Sequence, residues 1–183
     1  TVIPERCTGC GDCWAVCPES AVVVRAYSIE SLWNQAILQA TTKFVHLNRL
    51  AAVVLKTAHA LVRDDDLHSF STIGLLFSES FSRVMDQAGL AGNRRDAIDK
   101  EIETFLSSIS ELRPIRTEDW FGKAEKSKPG SGSLLSIVVD PNACNTCGAC
   151  LQSCAEDALE FPSSLEPDVS WPQIAALGAL PQE

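Results

Sequence analysis

The sequence predicts an α+β fold: a small unit with an internal pseudo-twofold repeat, interrupted by an inserted three- to four-helix bundle. Three observations predict it. One cysteine spacing is written twice, as "CTGCGDCWAVCP" at 7–18 and "CNTCGACLQSCA" at 144–155. Short β-branched runs flank both copies. Between them the hydrophobic period changes from two to about 3.6, the mark of amphipathic helices.

The repeat reads strand, cysteine run, strand. "TVIPERC" at 1–7 is a short strand into the first run, and "AVVVRA" at 21–26 is the strand after it. "LLSIVVD" at 134–140 precedes the second run, with the turn "DPNA" between, and "ALEF" at 158–161 closes it. These pieces form one discontinuous domain, 1–27 with 134–161.

The middle, 28–122, reads as the helical insertion. "SIESLWNQAILQA" is its first helix, with Ser28 or Ser31 as N-cap. Leu47, Leu50, Ala51, Val54, Leu55, Ala58 and Leu61 make one apolar stripe. Phe70, Ile73, Phe77, Phe81, Val84 and Met85 make a second. Ile98, Ile102, Phe105, Leu106, Ile109 and Leu112 make a third. "RDDDLHS" and "GLAGN" separate these helices, and Pro114 follows the last. The Gly/Ser/Pro-rich stretch 123–133 reads as a flexible linker, and 162–183, with "WPQIAALGAL", as a docking tail.

Composition narrows the function. The 183 residues carry a formal net charge of −9, and an acidic chain argues against nucleic acid. No apolar run approaches the roughly 18 residues of a membrane span. The chain starts at Thr1 with no apolar leader before Cys7, which suggests a processed subunit or a piece of a longer polypeptide, in the cytoplasm. No P-loop, dinucleotide fingerprint or nucleophile elbow is present. No catalytic residue is assigned. His46, His59 and His68 lie in the helical region without ligand spacing and receive no role. The acidic run at 64–66 reads as helix-end solvation, and Lys123, Lys126 and Lys128 as a solvated linker.

The chemistry lies in the eight cysteines, all within 7–17 and 144–154. A disulfide framework spreads its cysteines to staple loops, and neighbours three apart on a tight loop make awkward disulfide partners. Zinc sites more often use two short-spaced pairs joined by a longer loop. The spacing C-x2-C-x2-C-x3-C is that of iron–sulfur ligation, its first three thiolates converging on one cubane. Gly9, Gly11 and Gly148 suit tight turns that bring amide N–H groups toward sulfur. Trp14 and Leu151 occupy equivalent places as water shields or ordinary core. Pro18 and Ala155 also correspond, and the loss of proline removes no ligand.

The two runs and their flanking strands resemble a bacterial-type two-cluster ferredoxin over roughly 1–27 and 134–161. In such proteins the fourth cysteine of each run ligates the other cluster. The resemblance thus implies Cys7, Cys10, Cys13 and Cys154 on one [4Fe–4S] cluster, and Cys144, Cys147, Cys150 and Cys17 on a second. With its inserted helices, the chain also resembles the ferredoxin module of 2-oxoacid (pyruvate):ferredoxin oxidoreductases. That family implies an electron-transfer subunit or module relaying single electrons. They come from a thiamine-diphosphate site on partner subunits or domains and pass to an external ferredoxin or flavodoxin. The insertion is longer than the family pattern. Two other readings stand beside this one: a free-standing soluble electron carrier, and a cluster-bearing regulatory or scaffold protein.

Overall fold

A computed structural model describes residues 2–40, 43–64, 70–89, 92–109 and 113–160, without the side chains of 93 and 94. Leu112, His68, Asp65, Asp66, Phe161 and the tail 162–183 lie outside the described residues. The fold is mixed helix and strand. The described residues fall into two compact units, one of residues up to Ser28 and from Arg113 onward, the other from Ile29 to Ile109.

The first unit is built on an antiparallel pair, β1 (Val22–Tyr27) and β2 (Leu134–Val139), in the register Val22↔Val139 to Tyr27↔Leu134. Strand alternation separates its residues into two faces. Val22, Val24 and Ala26 share a face with Leu135, Ile137 and Val139, and Cys7, Cys13, Cys17 and Cys150 pack against that cluster. On the other face Tyr27 is fully buried, its hydroxyl 2.6 Å from Ser136 Oγ, and Ser136 Oγ donates to Arg113 O at 2.8 Å. Two short helices, α1 (Asp12–Ala15) and α7 (Ala149–Ser153), lie against each other beside the sheet.

Among the described residues, the outer strands expected at 1–7 and 158–161 shrink to one bridge, Val2↔Leu159, with Ile3 N–H donating to Ala158 O at 2.8 Å. Pro4 has no N–H to extend a ladder, and Arg6 N–H turns back to Ile3 O. A different residue adds to the sheet. Ile115 and Leu135 exchange both backbone hydrogen bonds, at 2.7 and 2.9 Å, on the edge of β2 away from β1.

The second unit holds α2 (Ile29–Gln39), α3 (Leu47–Arg63), α4 (Ile73–Ala88) and α5 (Asn93–Ser108). Thr72 caps α4 by accepting from Leu75 N–H, and Gly89, at φ +58°, ends it. The expected stripes bury Leu47, Val54, Ala58 and Leu61 on α3, and Ile73, Phe77, Phe81, Val84 and Met85 on α4. Among the described side chains of α5, Ile98 and Phe105 are buried. Trp33 of α2 meets Phe105 at a ring separation of 4.7 Å, and Phe77 and Phe81 each lie 5.4 Å from Phe105. Tilted and edge-on ring pairs of this kind each add about 0.5–1.5 kcal/mol beyond area burial.

Two boundaries differ from the sequence reading. Residues 113–122 cluster with the cysteine-bearing unit, not the helices, because Ile115 pairs with β2. The 123–133 stretch, expected as a flexible linker, begins with α6 (Lys123–Ser127) and is folded on itself. The buried Glu125 carboxylate accepts from Gly130 and Gly132 N–H, and Ser131 Oγ donates to Ala124 O. Polar side chains there satisfy the backbone internally instead of leaving it to water.

Candidate metal centre

The two cysteine loops are built alike. Gly11 (φ +99°) and Gly148 (φ +74°) start α1 and α7 from the left-handed region. Two residues before each, Gly9 (φ +73°) and Thr146 (φ +58°) also have positive φ. Three residues after the fourth cysteines, Ser20 (φ +51°) and Asp157 (φ +48°) do so again. The Ala21 N–H donates to Cys17 Sγ and the Ala158 N–H to Cys154 Sγ, both at 3.2 Å. The turn after the fourth cysteine is therefore the same with Pro18 as with Ala155, because its hydrogen bonds come from later residues.

Contact between α1 and α7 carries the end of each run to the start of the other. Cys7, Cys10, Cys13 and Cys154 rim one cavity of about 130 Å³. Cys17, Cys144, Cys147 and Cys150 rim a second of about 40 Å³. All eight are free thiols; Cys10 and Cys147 are exposed and the others half-buried. Among the described residues, no three His, Cys, Asp or Glu side chains close on one point as ligands of a single ion do. Four soft thiolates around a cavity are the donor set of a [4Fe–4S] cluster, and the residues present fit that group.

Burial and amide N–H groups shift the acidity of four thiols in opposite directions. Burial pushes Cys13 up to about 11, with neighbouring Cys7 adding to the effect and the Trp14 N–H opposing it. Burial likewise raises Cys7 against the Gly9 N–H, and raises Cys150 against the Leu151 N–H. Burial also acts to raise Cys17, but the N–H groups of Ala21, Val22 and Glu19 together outweigh it, so this thiol lies below its ordinary value. Amide dipoles thus already point at several sulfurs, as charged thiolate ligands require.

Three side chains outside the cysteines shape the loops and escape the spacing argument. Trp120, in a π-helical turn at Glu118–Gly122, donates from Nε1 to Gly9 O at 3.3 Å. The local signal for its position is Thr117 before two acids, an N-cap pattern; Thr117 Oγ1 accepts from Trp120 N–H. In the second loop Asn145 Oδ1 accepts from Cys147 N–H at 3.1 Å, an Asx turn, and Thr146 Oγ1 donates to Asn145 O. The histidines take part elsewhere: His59 Nε2 lies 2.9 Å from Glu30 Oε1, and the His46 N–H donates to Glu101, both within the helical unit.

No helix among the described residues is long and apolar enough to cross a membrane. No curated protein matches the chain, and no solved structure does. Residues 1–23, which hold Cys7, Cys10, Cys13 and Cys17, match the family described as the 4Fe-4S binding domain. The chain therefore carries an iron–sulfur domain of ferredoxin type, which binds a [4Fe–4S] cluster and serves electron transfer.

Proposed function

We propose that this chain is the electron-transfer part of a larger oxidoreductase and carries two [4Fe–4S] clusters. Cys7, Cys10, Cys13 and Cys154 ligate the first, and Cys144, Cys147, Cys150 and Cys17 the second. The observation that carries this is the crossed grouping: each cavity is rimmed by three cysteines of one run and the fourth of the other. The family match reaches only the first run. What supports the second is the recurrence of positive-φ positions and amide-to-sulfur bonds at the same offsets.

When bound, each cluster takes up and gives up one electron. The chain contributes the thiolates and the amide dipoles that disperse their charge, and an apolar sheet face that keeps water from the sulfurs. The resemblance to the 2-oxoacid:ferredoxin oxidoreductase module makes the donor a thiamine-diphosphate site on partner subunits or domains, and the acceptor an external ferredoxin or flavodoxin. The helical unit and the tail 162–183 are the docking surfaces toward those partners, in the cytoplasm.

The anaerobically purified chain will contain about eight irons and eight sulfides, and its reduced form two interacting S = 1/2 signals by EPR. About four irons would leave one cluster and overturn the relay. A colourless zinc protein would overturn the reading altogether.

A further inference from the structure

The two cysteine loops share a backbone but not a brace. In the second loop the hydrogen bonds to the loop backbone are local, although Asn145 Nδ2 also donates to Glu19 Oε1 at 3.4 Å. Asn145 Oδ1 holds the Cys147 N–H at 3.1 Å, and Thr146 bonds back to Asn145 O at 2.7 Å. In the first loop the equivalent residues are Thr8 and Gly9, and among the described residues Thr8 makes no such bond to Cys10. The first loop is held from outside instead. Trp120, from a segment 111 positions away, donates its indole N–H to Gly9 O at 3.3 Å.

The indole is held in turn. Trp120 N–H donates to Thr117 Oγ1 at 3.2 Å, and Trp120 O accepts from Ser133 N–H at 3.0 Å. The fit against Gly9 leaves no slack. A Cβ at Gly9 would lie 3.0 Å from the Trp120 ring and 2.8 Å from Leu135. Gly9 lines the first cysteine cavity. On its other side Trp120 walls an open, mostly apolar groove of about 420 Å³, shared with Trp14 and Leu135. The indole thus stands between a solvent-open groove and the loop joining Cys7 to Cys10. It is 42% exposed, although aromatic and large.

We propose that Trp120 is a positioning residue for the first cluster alone, bracing the Cys7–Cys10 loop and screening it from water, so that the two clusters are inequivalent. This rests on the reading that Cys7, Cys10, Cys13 and Cys154 hold a cluster. Water near a cluster favours its more highly charged, reduced state, so a screened cluster is harder to reduce than an open one.

The test is an EPR-monitored redox titration of the full chain as Trp120→Phe, Trp120→Ala and Asn145→Ala, with iron content measured on each. W120F keeps a ring over the loop and loses the hydrogen bond; W120A loses both. In W120A one cluster will become easier to reduce, its reduced-to-oxidised ratio at fixed potential rising about three- to tenfold, the combined weight of the lost hydrogen bond and the lost screen. The other cluster will stay unchanged. W120F will shift the same cluster in the same direction by less, and N145A will move only the other. Equal shifts of both clusters in the Trp120 variants, or no shift in either, at full iron content, would overturn the proposal. A wild-type chain with no EPR-active cluster would instead sink the ligand assignment beneath it.

Discussion

At the residue scale, two cysteines of the same run sit in opposite environments. Cys13 and Cys17 are four apart in one run, yet burial lifts Cys13 to about 11 while three amide N–H groups bring Cys17 below the ordinary thiol value. The thiolate is the reacting form, so a raised pKa means little thiolate at pH 8 and a lowered one means more. In cluster-free chain at that pH, iodoacetamide will modify Cys17 before Cys13, by at least tenfold in rate. Raising the pH toward 11 will narrow the gap as Cys13 ionises. Peptide mapping with time reads this directly, and equal rates at pH 8 would contradict the environments described.

The cysteine spacing was open to reading because three thiols on a tight loop need those short intervals. The braces were not. Trp120 meets Gly9 only after the intervening chain has folded, and no local pattern links them. Asn145 is different: an Asn two residues before a backbone donor is an Asx-turn signal, and reading it needed no tertiary information.

At the element scale, the helices α3 and α4 follow their apolar stripes closely, because a helix that buries one face must repeat it every 3.6 residues. Their ends follow less closely. Helix α3 has no side-chain cap of its own at His46. Instead the Glu101 carboxylate of α5 accepts from the N–H groups of Val45, His46 and Leu47, at 2.9–3.1 Å. One carboxylate at the positive end of the helix dipole satisfies the His46 and Leu47 donors that the helix itself leaves open, and the Val45 N–H just before them. Glu101→Ala will therefore cost about 1–2 kcal/mol, at the upper end for a lost cap. Glu101→Gln, which keeps an acceptor but not the charge, will cost less. Urea titration followed by far-UV circular dichroism measures both, and a neutral E101A would refute the capping role. The sequence shows Glu101 only as one acid on an exposed-looking helix face, because its three partners lie more than fifty residues earlier.

The same scale explains the stretch 123–133. Gly, Ser and Pro there suggest a flexible connector, since such residues seldom build a core. Glu125 overrides that tendency by turning its carboxylate onto Gly130 and Gly132 N–H. Composition shows which residues tolerate turns; it does not show which acid will reach back to them.

At the scale of the whole molecule, the chain has two cores with different sources of stability. The helical unit relies on aromatic packing around Phe105. The cysteine-bearing unit packs Val22, Ile115, Leu135 and Ile137 on the cysteine side of its two-stranded sheet and buries Tyr27, Phe121 and Leu134 besides. What the thiolates bind adds to that core, as metal-binding energy becomes folding energy in small metal domains. Stripping iron with a chelator under mild oxidation will lower hydrogen-exchange protection in β1, β2, α1 and α7, while α2–α5 keep theirs. Hydrogen exchange resolved by mass spectrometry tests this, and concerted loss of protection in α2–α5 would count against two separately stabilised units.

The sequence by itself determined the iron–sulfur character of the first cysteine run, the repeated cysteine spacing, the central strands and the faces of the helices. Each is a local or periodic property, carried by residue type at fixed spacing. Only the tertiary structure decided which residues close the loops and ends: Ile115 at the sheet edge, Trp120 on Gly9, Glu101 on the start of α3, and, among the described residues, the single bridge left of the outer strands. The same structure gathers the fourth cysteine of each run beside the other run's first three. These are hydrogen bonds and contacts between residues far apart in the chain. Their partners are chosen by packing and by the need to satisfy buried backbone groups, which no short stretch of sequence records.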